Sequence, residues 1–115
     1  MYNKYLKVLN TYYTKMNDNK EVTTTYTSPS NQCLQHIVKL AVVDDKPIML
    51  DYWTDSQDKK VLIGVRENGE KLLVKSEDEY TSPIEKIYKV ETEYIIVTEN
   101  SLYIVSSAIK TKRIS

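Results

Sequence analysis

The sequence predicts an α+β fold: an antiparallel β-meander of about five to seven strands with one amphipathic helix packed on it. Three observations predict it. Short runs of β-branched and aliphatic residues recur through the second half of the chain, separated by turn residues. An Asn68-Gly69 pair stands between two of these runs. Residues 31–43 instead carry apolar side chains at helical spacing.

In chain order, the first 27 residues admit two readings. Tyr5, Leu9, Tyr12 and Met16 are spaced as a helical stripe. The density of Tyr and Thr, with a polar Asn17-Asp18-Asn19 turn, favours a hairpin with the β-branched run Val22–Thr27. Ser28-Pro29-Ser30 supplies a cap and a proline where a helix would start. Leu34, Ile37, Val38, Ala41 and Val42 then follow at i, i+3, i+4, i+7 and i+8, one apolar stripe. Asp44-Asp45 sits at the unfavourable, negative end of that helix.

Pro47 leads into a strand over Ile48–Trp53, and Asp55-Ser56-Gln57-Asp58 reads as a polar turn. Lys60–Arg66 is a mostly apolar strand and Glu70–Lys75 its return. They are joined at Asn68-Gly69, where a two-residue turn needs positive φ at both positions. Glu77-Asp78-Glu79 is a solvated acidic turn. Ile84–Val90, Tyr94–Thr98 and Leu102–Val105 complete the meander, the last two joined by Glu99-Asn100-Ser101. Lys110-Thr111-Lys112-Arg113 belongs to a basic tail, from about residue 108, that is mobile unless a partner holds it.

The 115 residues suit one small domain, 1–115. Sixteen Lys and Arg balance sixteen Asp and Glu, and a neutral chain lacks the positive field of a protein that coats extended nucleic acid. No apolar run reaches the ~20 residues of a membrane span, and no signal-peptide core follows Met1. A lone cysteine excludes an internal disulfide and fits a reducing compartment. Ten tyrosines with no Phe exceed what one small core can hide with satisfied hydroxyls, so several face solvent or a subunit interface.

Chemistry is sparse. Cys33 and His36 stand three apart, but two ligands do not close a zinc site, and catalytic Cys–His pairs are usually distant in sequence. Most carboxylates fall in expected turns; Asp51 lies within the Ile48–Trp53 run, on its wet face. Two glycines cannot build a phosphate loop. Gly64, in mid-strand, marks either a twist point or a close approach. Of sixteen basic residues only Arg66 and Arg113 are arginines, the side chains suited to a bidentate grip on phosphate.

Thr81-Ser82-Pro83-Ile84 and Thr98-Glu99-Asn100-Ser101-Leu102-Tyr103 frame a segment, Thr81–Val105, whose pattern recurs in small phage proteins. Pro83 marks a strand start, and Asn100 is suited to the left-handed backbone of a tight turn. The pattern most resembles the phage Thoeris anti-defence proteins that act as signal sponges, over 25 of the 115 residues. That family binds cyclic ADP-ribose-type messengers made by bacterial TIR-domain enzymes without degrading them. Some of its members also hold cyclic di- and trinucleotides at a separate site, in hexamers.

The resemblance implies a ligand held by arginines, an aromatic ring and an asparagine. Asn100 carries over directly; Arg66 and Arg113 are the phosphate partners because no other arginine exists. Tyr88 or Tyr94 supplies the stacking ring where the family uses Phe. The expected protein is therefore a cytoplasmic homo-oligomer of the bacterial host cell that holds a small anionic cyclic nucleotide, with no catalytic residue, metal or cofactor. The competing expectation is an inhibitor that binds a host protein through a Tyr-rich or acidic surface or an edge strand. An enzyme ranks third.

Overall fold

The computed structural model describes residues 27–114. The expected hairpin of the first 27 residues lies outside the described residues, apart from Thr27. The first described element is the expected helix, α1, Asn31–Asp44. Ser30 caps it: its backbone is extended and its hydroxyl accepts the Cys33 N–H at 3.1 Å. The stripe buries Leu34, Ile37 and Ala41 together with Cys33, while Val38 and Val42 are partly buried. The C-terminus is closed without glycine. Asp45 adopts φ 53° and turns its N–H back to the Ala41 carbonyl, a left-handed conformation that aspartate tolerates.

The strand expected over Ile48–Trp53 is only β1, Ile48–Met49. The chain then turns through Leu50-Asp51-Tyr52 into a short helix, α2, Trp53–Gln57. Tyr52 and Trp53 explain the change. Both are buried, and consecutive strand residues would point to opposite faces. The helical turn sends Trp53 into the core under α1 and Tyr52 into a second core between sheets. Asp51 is thus an exposed turn residue rather than a strand residue, and the expected polar turn 55–58 is mostly the body of α2.

The remaining strands are β2 (Leu62–Val65), β3 (Lys71–Ser76), β4 (Glu79–Tyr80), β5 (Ile84–Val90), β6 (Glu93–Thr98), β7 (Leu102–Ser106) and β8 (Lys110–Arg113). They form two four-stranded sheets, ordered β1-β7-β6-β5 and β4-β3-β2-β8. The antiparallel runs β2–β4 and β5–β7 are the expected meander. Each sheet adds one parallel pair at an edge, β1 on β7 and β8 on β2. The expected mobile basic tail is therefore a strand, with Leu62 opposite Lys110 and Val65 opposite Arg113.

Helix, sheet and sheet stack as three layers around β6. Ile95 and Val97 face α1, and Ile96 faces the second sheet, in a core that joins it and Val105 of β7 to Val61, Ile63 and Leu73. Burial on both faces explains why Glu93–Thr98 reads as a nearly continuous apolar run.

Candidate functional site

The outward face of the β4-β3-β2-β8 sheet forms an open cleft of about 660 Å³. Leu62 and Gly64 on β2 share this face with Leu72 and Val74 on β3, by the alternation and register of the strands. Ile114, just beyond β8, lies over Gly64: a Cβ on that glycine would meet its Cδ1 at 2.8 Å. Gly64 thus marks a close approach by a side chain of the same chain. Leu62, Leu72, Val74 and Ile114 make the cleft's apolar lining.

Three cationic side chains, Arg66, Lys112 and Arg113, line the same cleft with a single carboxylate, Glu77. Arg66 is placed by the β2–β3 hairpin. Its N–H donates to the Glu70 carbonyl at 2.8 Å, and the Gly69 N–H returns to the Arg66 carbonyl at 2.9 Å. Only Gly69, at φ 90°, takes positive φ in this turn, so the expected two-residue turn is instead a longer loop closed by one glycine. Asn68 contributes its side-chain oxygen, which accepts the Glu70 N–H at 2.9 Å. The Arg66 guanidinium lies 3.4 Å from the Glu70 carboxylate and 6.0 Å from the centre of the Tyr80 ring. Tyr80, on the edge strand β4, is 51% exposed. Lys112 and Arg113 have no ion pair among the described residues.

Of the five residues expected in a site, the fold brings together Arg66 and Arg113 alone. Tyr88 lies in a separate cleft of about 460 Å³ between β5 and α1, beside Gln32, His36 and Leu40. Tyr94 is half-buried against the core between the sheets. Asn100 is exposed in the β6–β7 turn and does not have the left-handed backbone expected of it. Thr98 organises that turn instead. Its hydroxyl donates to the Ser101 carbonyl and accepts the N–H groups of Asn100 and Ser101. In this segment the hydrogen bonds of Thr98 and Ser101 hold the hairpin.

Lys112 and Tyr80 join the cleft without a sequence signal that marks them for it. Lys112 was visible in the basic run 110–113, but parallel pairing with a strand so far away leaves no local signal. Tyr80 follows the run Glu77-Asp78-Glu79 that reads as an acidic turn and belongs to no expected strand; the structure instead makes Glu79–Tyr80 the short edge strand β4.

Cys33 and His36 form no couple: Cys33 is fully buried in the core and His36 is exposed. Burial pushes the Cys33 thiol up to about 12, with the Glu93 carboxylate adding to the rise. Such a thiol is not a nucleophile near neutral pH. Among the described residues no three His, Cys, Asp or Glu side chains gather as a metal site. None of the described helices is long and apolar enough to cross a membrane.

The chain is thus an α+β domain with a basic, aromatic-edged cleft on one sheet face. No protein-family model or curated protein matches this sequence, and no solved structure matches its fold.

Proposed function

We propose that the protein binds and sequesters a small cyclic nucleotide signal, of the cyclic ADP-ribose class, without cleaving it. In this reading it is a phage-type counter-defence protein acting in the bacterial cytoplasm. One observation carries the reading: Arg66, Lys112 and Arg113 converge with the exposed Tyr80 on a single cleft with an apolar floor. Guanidinium and ammonium groups suit a pyrophosphate, and an exposed ring beside a guanidinium suits a base. The volume lies within the range of small-molecule sites. Tyr80 takes the stacking role expected of Tyr88 or Tyr94. Asn100 stays in the proposal only as a carry-over from the family resemblance, and the homo-oligomer stays in it on the exposed tyrosines.

The test is a thermal-shift panel of cyclic ADP-ribose isomers and cyclic di- and trinucleotides. A ligand at 100 times its Kd adds about 2.7 kcal/mol of stability. In a domain of this size that raises Tm by roughly 10 °C. Arg66→Ala should weaken binding by more than about 1.5 kcal/mol, since it removes a charge-assisted contact. Its own stability should barely change, because the exposed Arg66–Glu70 pair is worth little. Wild-type affinity in that variant would remove Arg66 from the site.

A second reading is a protein-binding inhibitor. It is favoured by β5, an edge strand with five consecutive exposed residues that include Ile87 and Tyr88. A folded sample that shifts with no member of the panel would replace the first reading with this one.

A further inference from the structure

Two of the cleft's three cations ride on an edge strand whose only sheet neighbour is β2. All four residues of β8 are exposed, so no side chain within the strand anchors it by burial. The residue that follows, Ile114, is itself 39% exposed and anchors the strand through a local contact instead of deep burial. Ile114 donates its N–H to the Val65 carbonyl at 3.0 Å and extends the parallel ladder by one step. Its side chain lies in the notch left by the missing side chain of Gly64. An added Cβ there would stand 2.8 Å from Ile114 Cδ1, 3.0 Å from Ile114 Cγ2 and 3.0 Å from Val74 Cγ2.

We infer that Ile114, keyed into the Gly64 notch, is the positioning residue that sets Lys112 and Arg113 at the cleft. This rests on the sequestration reading for the ligand, but the anchoring itself does not. The register supports it directly. Lys112 is paired with Gly64, so the cation and the notch lie side by side across the ladder. A one-residue slip of β8 would turn Lys112 to the opposite face. It would also carry Ile114 off the glycine, the one β2 position with no side chain in its way. The strand is thus held at both ends: Ile109, just before it, is buried in the core between the sheets, and the notch fixes the register at its C-terminal end. The same residue shapes the floor of the cleft and sets two of its cations.

The experiment compares wild type, Ile114→Ala, Gly64→Ala and the double variant. Amide hydrogen exchange is measured without ligand, and titration with cyclic ADP-ribose at two salt concentrations. Ile114→Ala should lose protection over 110–114 while β5–β7 keep theirs. Its affinity should fall by roughly tenfold or more, the loss of one charge-assisted bond. The salt dependence of its residual binding should become shallower, towards that of Arg113→Gln. A purely structural loss would lower affinity and leave that dependence intact. Gly64→Ala should act in the same direction, and the double variant should be no worse than Ile114→Ala, because both changes remove one contact. Unchanged protection over 110–114 in Ile114→Ala would overturn the inference. Lost protection with wild-type affinity would overturn the positioning role. A wild type that fails to bind the probe would instead sink the sequestration reading, while the exchange data still decide the anchor.

Discussion

At the residue scale, the tightest constraints sit where one side chain serves two neighbours. Ser56 is fully buried; its hydroxyl donates to the Trp53 carbonyl at 2.6 Å and accepts the Ser106 N–H at 2.9 Å. Ser56→Ala leaves both groups without that partner, and the expected cost is about 1–3 kcal/mol. A urea midpoint equal to wild type would show that another group takes over these bonds. Titration offers a second prediction. Burial raises the Cys33 thiol and the Tyr52 hydroxyl each to about 12, and also raises Tyr103, whose ring packs edge-on against Tyr52 at 5.2 Å. The folded chain holds these protons at a pH where the unfolded chain has released them. Their stabilisation is therefore complete below about pH 9, the ordinary thiol value, and is lost as pH climbs towards about 12. Phenolate absorbance of the native protein should show Tyr52 and Tyr103 ionising late. A single step near pH 10 for all tyrosines would contradict their burial.

At the element scale, patterning and local chemistry account for most of the chain. The helical spacing that begins at Leu34 did specify α1, and the Asn68-Gly69 pair did mark a hairpin, because both signals arise within a few residues. The turn itself differed, since one glycine in a longer loop satisfies the same reversal. The strand read over Ile48–Trp53 failed for a tertiary reason. Two cores lie on either side of the β1-β7-β6-β5 sheet, and Trp53 and Tyr52 fill one each. The indole donates to the Thr27 carbonyl at 2.6 Å, which ties α2 to the segment before α1. Trp53→Phe should keep the fold and lose about 1–3 kcal/mol, because it leaves that carbonyl without its donor. A chemical-denaturation midpoint that does not move would show the bond to be dispensable.

At the scale of the molecule, β6 belongs to both cores, so neither sheet can open alone without exposing Ile95, Ile96 or Val97. The expected consequence is one cooperative transition, coincident in Trp53 fluorescence and far-UV circular dichroism. Two separated transitions would mean that the β4-β3-β2-β8 sheet melts independently. Lys46 adds a link across layers. Its ammonium reaches the Glu85 carboxylate at 2.9 Å and the Thr98 carbonyl at 2.7 Å, joining the end of α1 to β5 and β6.

The candidate site divides along the same line. Arginine scarcity pointed to Arg66 and Arg113 before any fold was known, because a guanidinium is the group that grips phosphate. Periodicity and turn chemistry likewise determined α1, the β2–β3 hairpin and the apolar strands β2, β3, β5, β6 and β7, since each is encoded within one or two turns of chain. Only the tertiary structure decided that the basic run 110–113 is a strand beside β2. It alone set Lys112 and Tyr80 with Arg66 and moved Tyr88, Tyr94 and Asn100 elsewhere. Parallel pairing between distant strands is selected by the packing of the whole chain. Here a notch at Gly64 and a side chain at Ile114 record that choice, and neither residue announces the other in the sequence.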